Sequence, residues 1–115
     1  MPYLKLSTNV EIHSEKTQAL LANLSQLMAN KTAKPEEYVM IEIADKQCML
    51  FAGNSQPLAY IECKNIGLTI DQTQTLAEVI CQLLLEQLAI SPNRIYIEFT
   101  NIRAEYWAWD GSTFG

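Results

Sequence analysis

An α+β fold is predicted for this chain: two βαβ units in tandem, making a four-stranded mixed sheet with two helices on one face. Three observations carry that prediction. Two long segments have helical periodicity, four short apolar runs flank them as strand, helix, strand twice over, and turn and cap residues recur at one spacing.

The first strand is Tyr3–Thr8, where Tyr-Leu-Lys-Leu-Ser-Thr alternates. A helix follows from about Ser14 to Lys31, with Leu20, Leu24, Leu27 and Met28 on one face. The second strand is Tyr38–Ile43. Between Asp45 and Gln56 lies a short apolar patch, Cys48-Met49-Leu50-Phe51, closed by a Gly53-Asn54-Ser55 turn. The third strand is Leu58–Cys63, the second helix runs from about Asp71 to Leu88 with Leu76, Ile80, Leu83, Leu84 and Leu88 on one face, and the last strand is Arg94–Thr100. Ser14 and Asp71 are N-cap candidates, with Gln74 completing a capping box behind Asp71. Ser14 and Asp71 are 57 residues apart, as are Pro35 and Pro92. One domain, 1–115, therefore divides into pseudo-repeats of about 2–57 and 58–115. Each crossover leaves its two strands parallel.

The strands carry apolar groups on both faces: Val39, Ile41 and Ile43 point one way, Tyr38 and Met40 the other. A sheet of that kind needs a second layer, and no third long helix exists to supply it. Other copies of the chain, closed into a ring, are the expected cover. The tail Ala104–Gly115 holds Tyr106, Trp107, Trp109 and Phe114. Its tryptophans either dock on a neighbouring subunit or wall a pocket between subunits.

The chain has 115 residues, is 49% hydrophobic and carries a net charge of −5. Lysines and arginines are scattered, so the basic patch of a nucleic-acid binder is missing. No apolar run is long enough to span a membrane. The start has no signal-peptide pattern, so a cytoplasmic location is expected; export without a leader is not readable. Cys48, Cys63 and Cys81 form no metal or redox spacing, and Cys81 reads as a small packed thiol in a helix. His13 is the only histidine, which disfavours a His-based metal site or triad; no cofactor is expected.

Pro2 follows Met1 directly, and a methionine before proline is a substrate for aminopeptidase trimming. The processed chain would begin with a secondary amine that is rigid, has a fixed lone pair, and has an ordinary pKa of about 8. Burial would pull that value towards neutrality, suiting the amine to abstract a proton beside a carbonyl. The structural alternative is that Pro2 opens an edge strand, where a missing N–H does no harm.

With Met1-Pro2, Thr8-Asn9-Val10, Lys34-Pro35, Phe51-Ala52-Gly53-Asn54-Ser55-Gln56-Pro57, Ile66-Gly67, Ile90-Ser91-Pro92-Asn93-Arg94-Ile95-Tyr96-Ile97 and Trp109-Asp110-Gly111-Ser112-Thr113-Phe114 in fixed order, the chain resembles the macrophage migration inhibitory factor branch of the tautomerase superfamily. The resemblance runs nearly end to end. It implies a homotrimer with its sheets around a central channel and a cofactor-free keto–enol tautomerase for an aromatic α-keto acid such as phenylpyruvate, or an isomerase of a dopachrome-like compound. It further implies Pro2 as general base, Lys34 and the backbone of Ile66 binding substrate oxygens, and Tyr96 entering from the adjacent subunit. Trp107 and Trp109 would be walls, with Tyr38 near the mouth. A binding or signalling trimer with a relic pocket is the competing expectation. A hydratase-like reaction, with Glu98 orienting a water, lacks the arginine pair such enzymes use.

Four positions depart from the family pattern. Glu98 stands where the vertebrate cytokine has a neutral Asn; a carboxylate there would raise the Pro2 pKa and repel an anionic substrate. Trp107 replaces an aliphatic residue, narrowing the pocket. Leu58 and Ile61 stand where the vertebrate cytokine has its Cys-x-x-Cys pair, so the associated thiol chemistry is not carried over.

Overall fold

The computed structural model describes residues 1–115. Strand β1 (Tyr3–Thr8) is followed by helix α1 (Ser14–Thr32), a 3-10 turn at Glu36–Tyr38, and β2 (Met40–Ala44). Then come β3 (Ala59–Ile66), α2 (Ile70–Leu88), a second 3-10 turn at Pro92–Arg94, and β4 (Ile95–Ile102). A third 3-10 turn at Ala104–Tyr106 leads to a small hairpin of β5 (Ala108–Trp109) and β6 (Ser112–Thr113). The main sheet has the order β2-β1-β3-β4: each crossover pair is parallel, and β1 meets β3 antiparallel. The α+β architecture of two βαβ units is therefore as expected.

Both helices cover the same side of the sheet. Leu20, Leu24 and Met28 of α1 and Leu76, Ile80 and Leu84 of α2 join Leu4, Leu6, Ile61 and Cys63 in one buried cluster. Each such side chain contributes about 1.5–3 kcal/mol by leaving water, so this layer supplies most of the fold's driving force.

Several finer expectations are corrected. Ser14 is the first helical residue, and the N-cap position is held by His13, whose side chain makes no cap bond. Asp71 is also inside its helix. The cap is Thr69, whose hydroxyl accepts from Gln72 N while the Gln72 side chain accepts from Thr69 N; Gln72, not Gln74, completes the box. The repeat spacing is consequently 56 rather than 57: the N-caps are His13 and Thr69, the C-caps Ala33 and Ala89, and the 3-10 turns begin at Glu36 and Pro92. Pro35 is an N-cap and Pro92 a first-turn residue, so the two prolines are not equivalent. Tyr38 belongs to a 3-10 turn rather than to β2, and β3 and β4 run on to Ile66 and Ile102.

The edge-strand reading of Pro2 does not hold, because β1 is an inner strand. The open face of the sheet is also more polar than expected. Met40 and Tyr96 are exposed there, but between them lie Tyr3, Lys5, Glu42, Tyr60, Glu62 and Glu98. Tyr3 donates to Glu42 (2.6 Å) and Tyr60 to Glu98 (2.9 Å).

The corrected caps make a testable difference. Thr69→Ala removes the hydroxyl that accepts from Gln72 N, leaving the backbone N–H bond to the Gln72 side chain, and is expected to cost about 1 kcal/mol in urea denaturation, whereas Ser14→Ala should change stability by less than about 0.5 kcal/mol. Equal losses at the two positions would contradict the cap assignment.

Candidate functional site

The start of β1 is tied into the sheet interior. Met40 N donates to the Pro2 carbonyl at 3.0 Å, extending the β1–β2 ladder back to Pro2. Pro2 is buried. It lies in a cleft of about 440 Å³, walled by Tyr38, Val39, Met40, Trp107, Trp109 and Phe114, with Met1 and Glu37 also lining it.

The aromatic wall has a local cause. Asp110 and Gly111 both take positive φ (51° and 80°), the two-residue turn that matches the twist of a hairpin. That turn folds β6 back on β5, and Phe114 N donates to Trp107 O at 3.0 Å. Trp109 and Phe114 thereby meet Tyr38 edge-on, with centroids 5.6 Å and 6.3 Å away. Such contacts are worth about 0.5–1.5 kcal/mol each beyond burial. The tail is thus a lid of aromatic rings clipped onto its own chain, and the Asp-Gly pair is the sequence signal that marks it.

Lys34 follows the end of α1 and lines a separate hollow with Gln26, Asn30 and Glu36, not the Pro2 cleft itself. Ala33 adopts the left-handed conformation (φ 56°), and Lys34 N donates to Ala29 O at 3.1 Å, turning the chain back. The α-amine at Met1 is held below its ordinary value by burial first and by the charge of Lys34 second.

The remaining predicted residues are placed as follows. Ile66 closes β3, and Asn101 Oδ1 holds the turn behind it by accepting from Gly67 N and Leu68 N, each at 3.1 Å. Tyr96 and Glu98 lie on β4 and do not line the Pro2 cleft of their own chain. Tyr96 borders a second hollow of about 500 Å³ with Met49, Leu50, Phe51 and Leu58, and stacks on Phe51 at 4.7 Å. Arg94 fixes that loop: its guanidinium donates to the carbonyls of Phe51, Asn54 and Gln56 at 2.8, 3.2 and 3.0 Å and lies 5.0 Å from the Phe51 ring centre. Asn9 adds a second staple, donating to Ser55 O and accepting from Leu58 N. The carboxylate of Glu98 accepts from Tyr60, whose own pKa is raised mainly by that bond.

Asn65 is absent from the sequence-derived candidates. Ending β3 at Cys63 hid it; extending the alternation of Ile61 and Cys63 one step would have put its amide in the core. Nowhere do three or more His, Cys, Asp or Glu side chains converge as a metal site requires, and no helix is long and apolar enough to cross a membrane.

Comparison with known proteins adds an independent line. A family model described as macrophage migration inhibitory factor (MIF) matches residues 1–115. The chain is 39% identical over 116 residues to a macrophage migration inhibitory factor homolog of Brugia malayi, covering all of both chains. It is 37% identical over 115 residues to the macrophage migration inhibitory factor of Meriones unguiculatus, covering 99% of each. Its backbone matches the crystal structure of a macrophage migration inhibitory factor homologue from Prochlorococcus marinus with a TM-score of 0.93 at 37% identity, covering 98% of this chain and 99% of that one.

The cysteines offer no nucleophile to the cleft. Cys63 is fully buried and its thiol is pushed up to about 12 by burial, Cys81 is half-buried and raised for the same reason, and Cys48 is exposed. A disulfide thiol reagent at pH 8 is expected to modify Cys48 promptly and Cys63 only after denaturation. Rapid labelling of Cys63 in the native protein would show that β3 opens readily.

Proposed function

Because this chain belongs to the macrophage migration inhibitory factor family, we propose that it is a cofactor-free keto–enol tautomerase in which the Pro2 amine, freed by removal of Met1, is the general base. The observation that carries the reading is the burial of Pro2 in a cleft walled by aromatic and aliphatic groups; the charge of Lys34 reaches the Met1 amine there, although Lys34 itself lines a neighbouring hollow. The Met1 amine, one residue further out, is depressed by burial and by Lys34, and the reading assigns the same two influences to the Pro2 amine once Met1 is removed.

The proposed substrate is a phenylpyruvate-type α-keto acid or a dopachrome-like compound. Its ring packs on Tyr38, Trp107 and Trp109, and its carboxylate or carbonyl oxygens meet Lys34 and the backbone of Ile66. The Pro2 lone pair takes a proton from the carbon next to the ketone, the C–H electrons form the enol double bond, and the carbonyl oxygen gathers the charge. Lys34 offsets that charge, and the proton on Pro2 passes to the oxygen; the reverse direction uses the same groups. In a homotrimer, Tyr96 and Glu98 of a neighbouring copy complete the cavity. That role accounts for their place on β4, away from the Pro2 cleft of their own chain, and for the exposed apolar hollow beside Tyr96.

Intact-mass analysis to establish the processed start, followed by a phenylpyruvate assay, tests this. Pro2→Gly should lower kcat/KM at least about 100-fold; equal rates would replace the enzyme reading with a binding or signalling trimer. In the wild type, kcat/KM should rise with pH through a pKa below the ordinary α-amine value of about 8. Lys34→Met removes a neighbouring cation, so it should move that limb to higher pH and weaken binding of the anionic substrate about tenfold.

Glu98→Asn tests the acidic departure. If the neighbour's carboxylate faces Pro2, the variant should move the acid limb to lower pH and speed turnover of the anionic keto acid. A profile superimposed on the wild type would remove Glu98 from the cavity.

A further inference from the structure

Asn65 stands in the buried register of β3 with Ile61 and Cys63, and its side chain is fully enclosed. Neither its Oδ1 nor its Nδ2 has a hydrogen-bond partner. An enclosed amide left unpaired loses its bonds to water and gains none in return, so native structures rarely keep one without a reason.

The β1–β3 register identifies the neighbour. Leu4 faces Cys63 and Tyr3 faces Lys64; one further step sets Asn65 opposite Pro2. Both are buried, and both fall on the helix-covered side with Leu4 and Cys63. While Met1 is attached, the Pro2 nitrogen is a tertiary amide with no hydrogen and offers Oδ1 nothing. Removing Met1 creates a donor at that place, with one N–H in the neutral amine and two in the protonated one. The unpaired acceptor and the donor created by processing are complementary.

We propose that Asn65 is a positioning residue for Pro2: its Oδ1 accepts a hydrogen bond from the freed Pro2 amine and sets the direction of the nitrogen lone pair in the cleft. The inference rests on the proline-base reading and extends it to a residue outside the cleft lining. The bond is stronger to the charged amine than to the neutral one, so it holds the proton between abstraction and return. It also opposes the desolvation and the Lys34 charge that favour the neutral form. The other charged or titratable groups around Pro2 in its own chain are Glu37 and Tyr38 on the 3-10 turn, Tyr3 on β1 and Lys64 on β3; in the proposed trimer Tyr96 and Glu98 of the neighbouring copy join them. The Trp107 and Trp109 walls bring no charge. None of these changes when residue 65 is substituted.

The test uses processed full-length protein labelled with ¹⁵N-proline, titrating the Pro2 nitrogen by NMR beside the pH–rate profile. Asn65→Leu keeps the bulk and removes the acceptor. The Pro2 titration and the acid limb of kcat/KM should both move down by about one pH unit. The same variant should lose about tenfold in kcat with KM changed less than about twofold. Asn65→Asp keeps an acceptor and adds charge, so both should move up. In protein that retains Met1, where the amide is unpaired, Asn65→Leu should not lower thermal melting. A Pro2 titration superimposed on the wild type in Asn65→Leu overturns the proposal; if that variant does not fold, an unchanged titration in Asn65→Asp does so. The NMR titration needs no substrate, so it separates failure at Asn65 from failure of the tautomerase reading, which Pro2→Gly alone decides.

Discussion

The site depends on one constraint: β1 is an inner strand, paired in parallel with β2 and antiparallel with β3. Chain termini usually fray because nothing holds their backbone groups. Here the ladder reaches back to the Pro2 carbonyl, and Leu4 and Leu6 anchor the strand in the core with no exposed surface. The first residues are thereby placed at the end of the sheet, where the turn before β2 and the C-terminal hairpin close over them. A base at the end of a chain has usable geometry only when the strand behind it is fixed, and this fold fixes it on both edges.

The second feature follows from how the loops are tied. Asn9, Arg94 and the Phe51–Asn54 turn are among the residues that make the family resemblance recognisable. They are also the partners that hold the Asp45–Gln56 loop against the start of β4. Arg94 satisfies loop carbonyls that have no strand to pair with, and by stacking Phe51 on Tyr96 it presents an apolar surface at one end of the sheet. The Pro2 cleft is separate from that surface in one chain. The proposed trimer joins them, and the polar open face, with Tyr3–Glu42 and Tyr60–Glu98 pairs, becomes its inner lining.

What the sequence made legible was whatever depends on periodicity. The alternation of β1 and the helical faces of Leu20, Leu24 and Met28 and of Leu76, Ile80 and Leu84 all emerge in the structure, because burial selects residues at those spacings. The sequence offset of 57 differs by one from the structural 56 because proline and Ser/Asp mark positions near a helix start without distinguishing the cap from the first turn. Thr69, with Gln72 three residues on, was the better signal. The cleft walls Tyr38, Trp107 and Trp109 do gather around Pro2. Tyr96, Glu98 and the hollow beside Tyr96 could not be joined to it from one chain, since their proposed partner surface belongs to another copy. Asn65 carries no apolar signal of its own, so the alternation of Ile61 and Cys63 alone does not reveal that β3 runs on through it.

The account stands on an amine at Pro2 that loses its proton below the ordinary α-amine range. Reductive methylation of the processed protein across pH, read by peptide mass, measures this directly because only the unprotonated amine reacts. Half-maximal methylation of Pro2 below the ordinary α-amine range of about 8 is the predicted result; a half-point at or above that range would contradict the account.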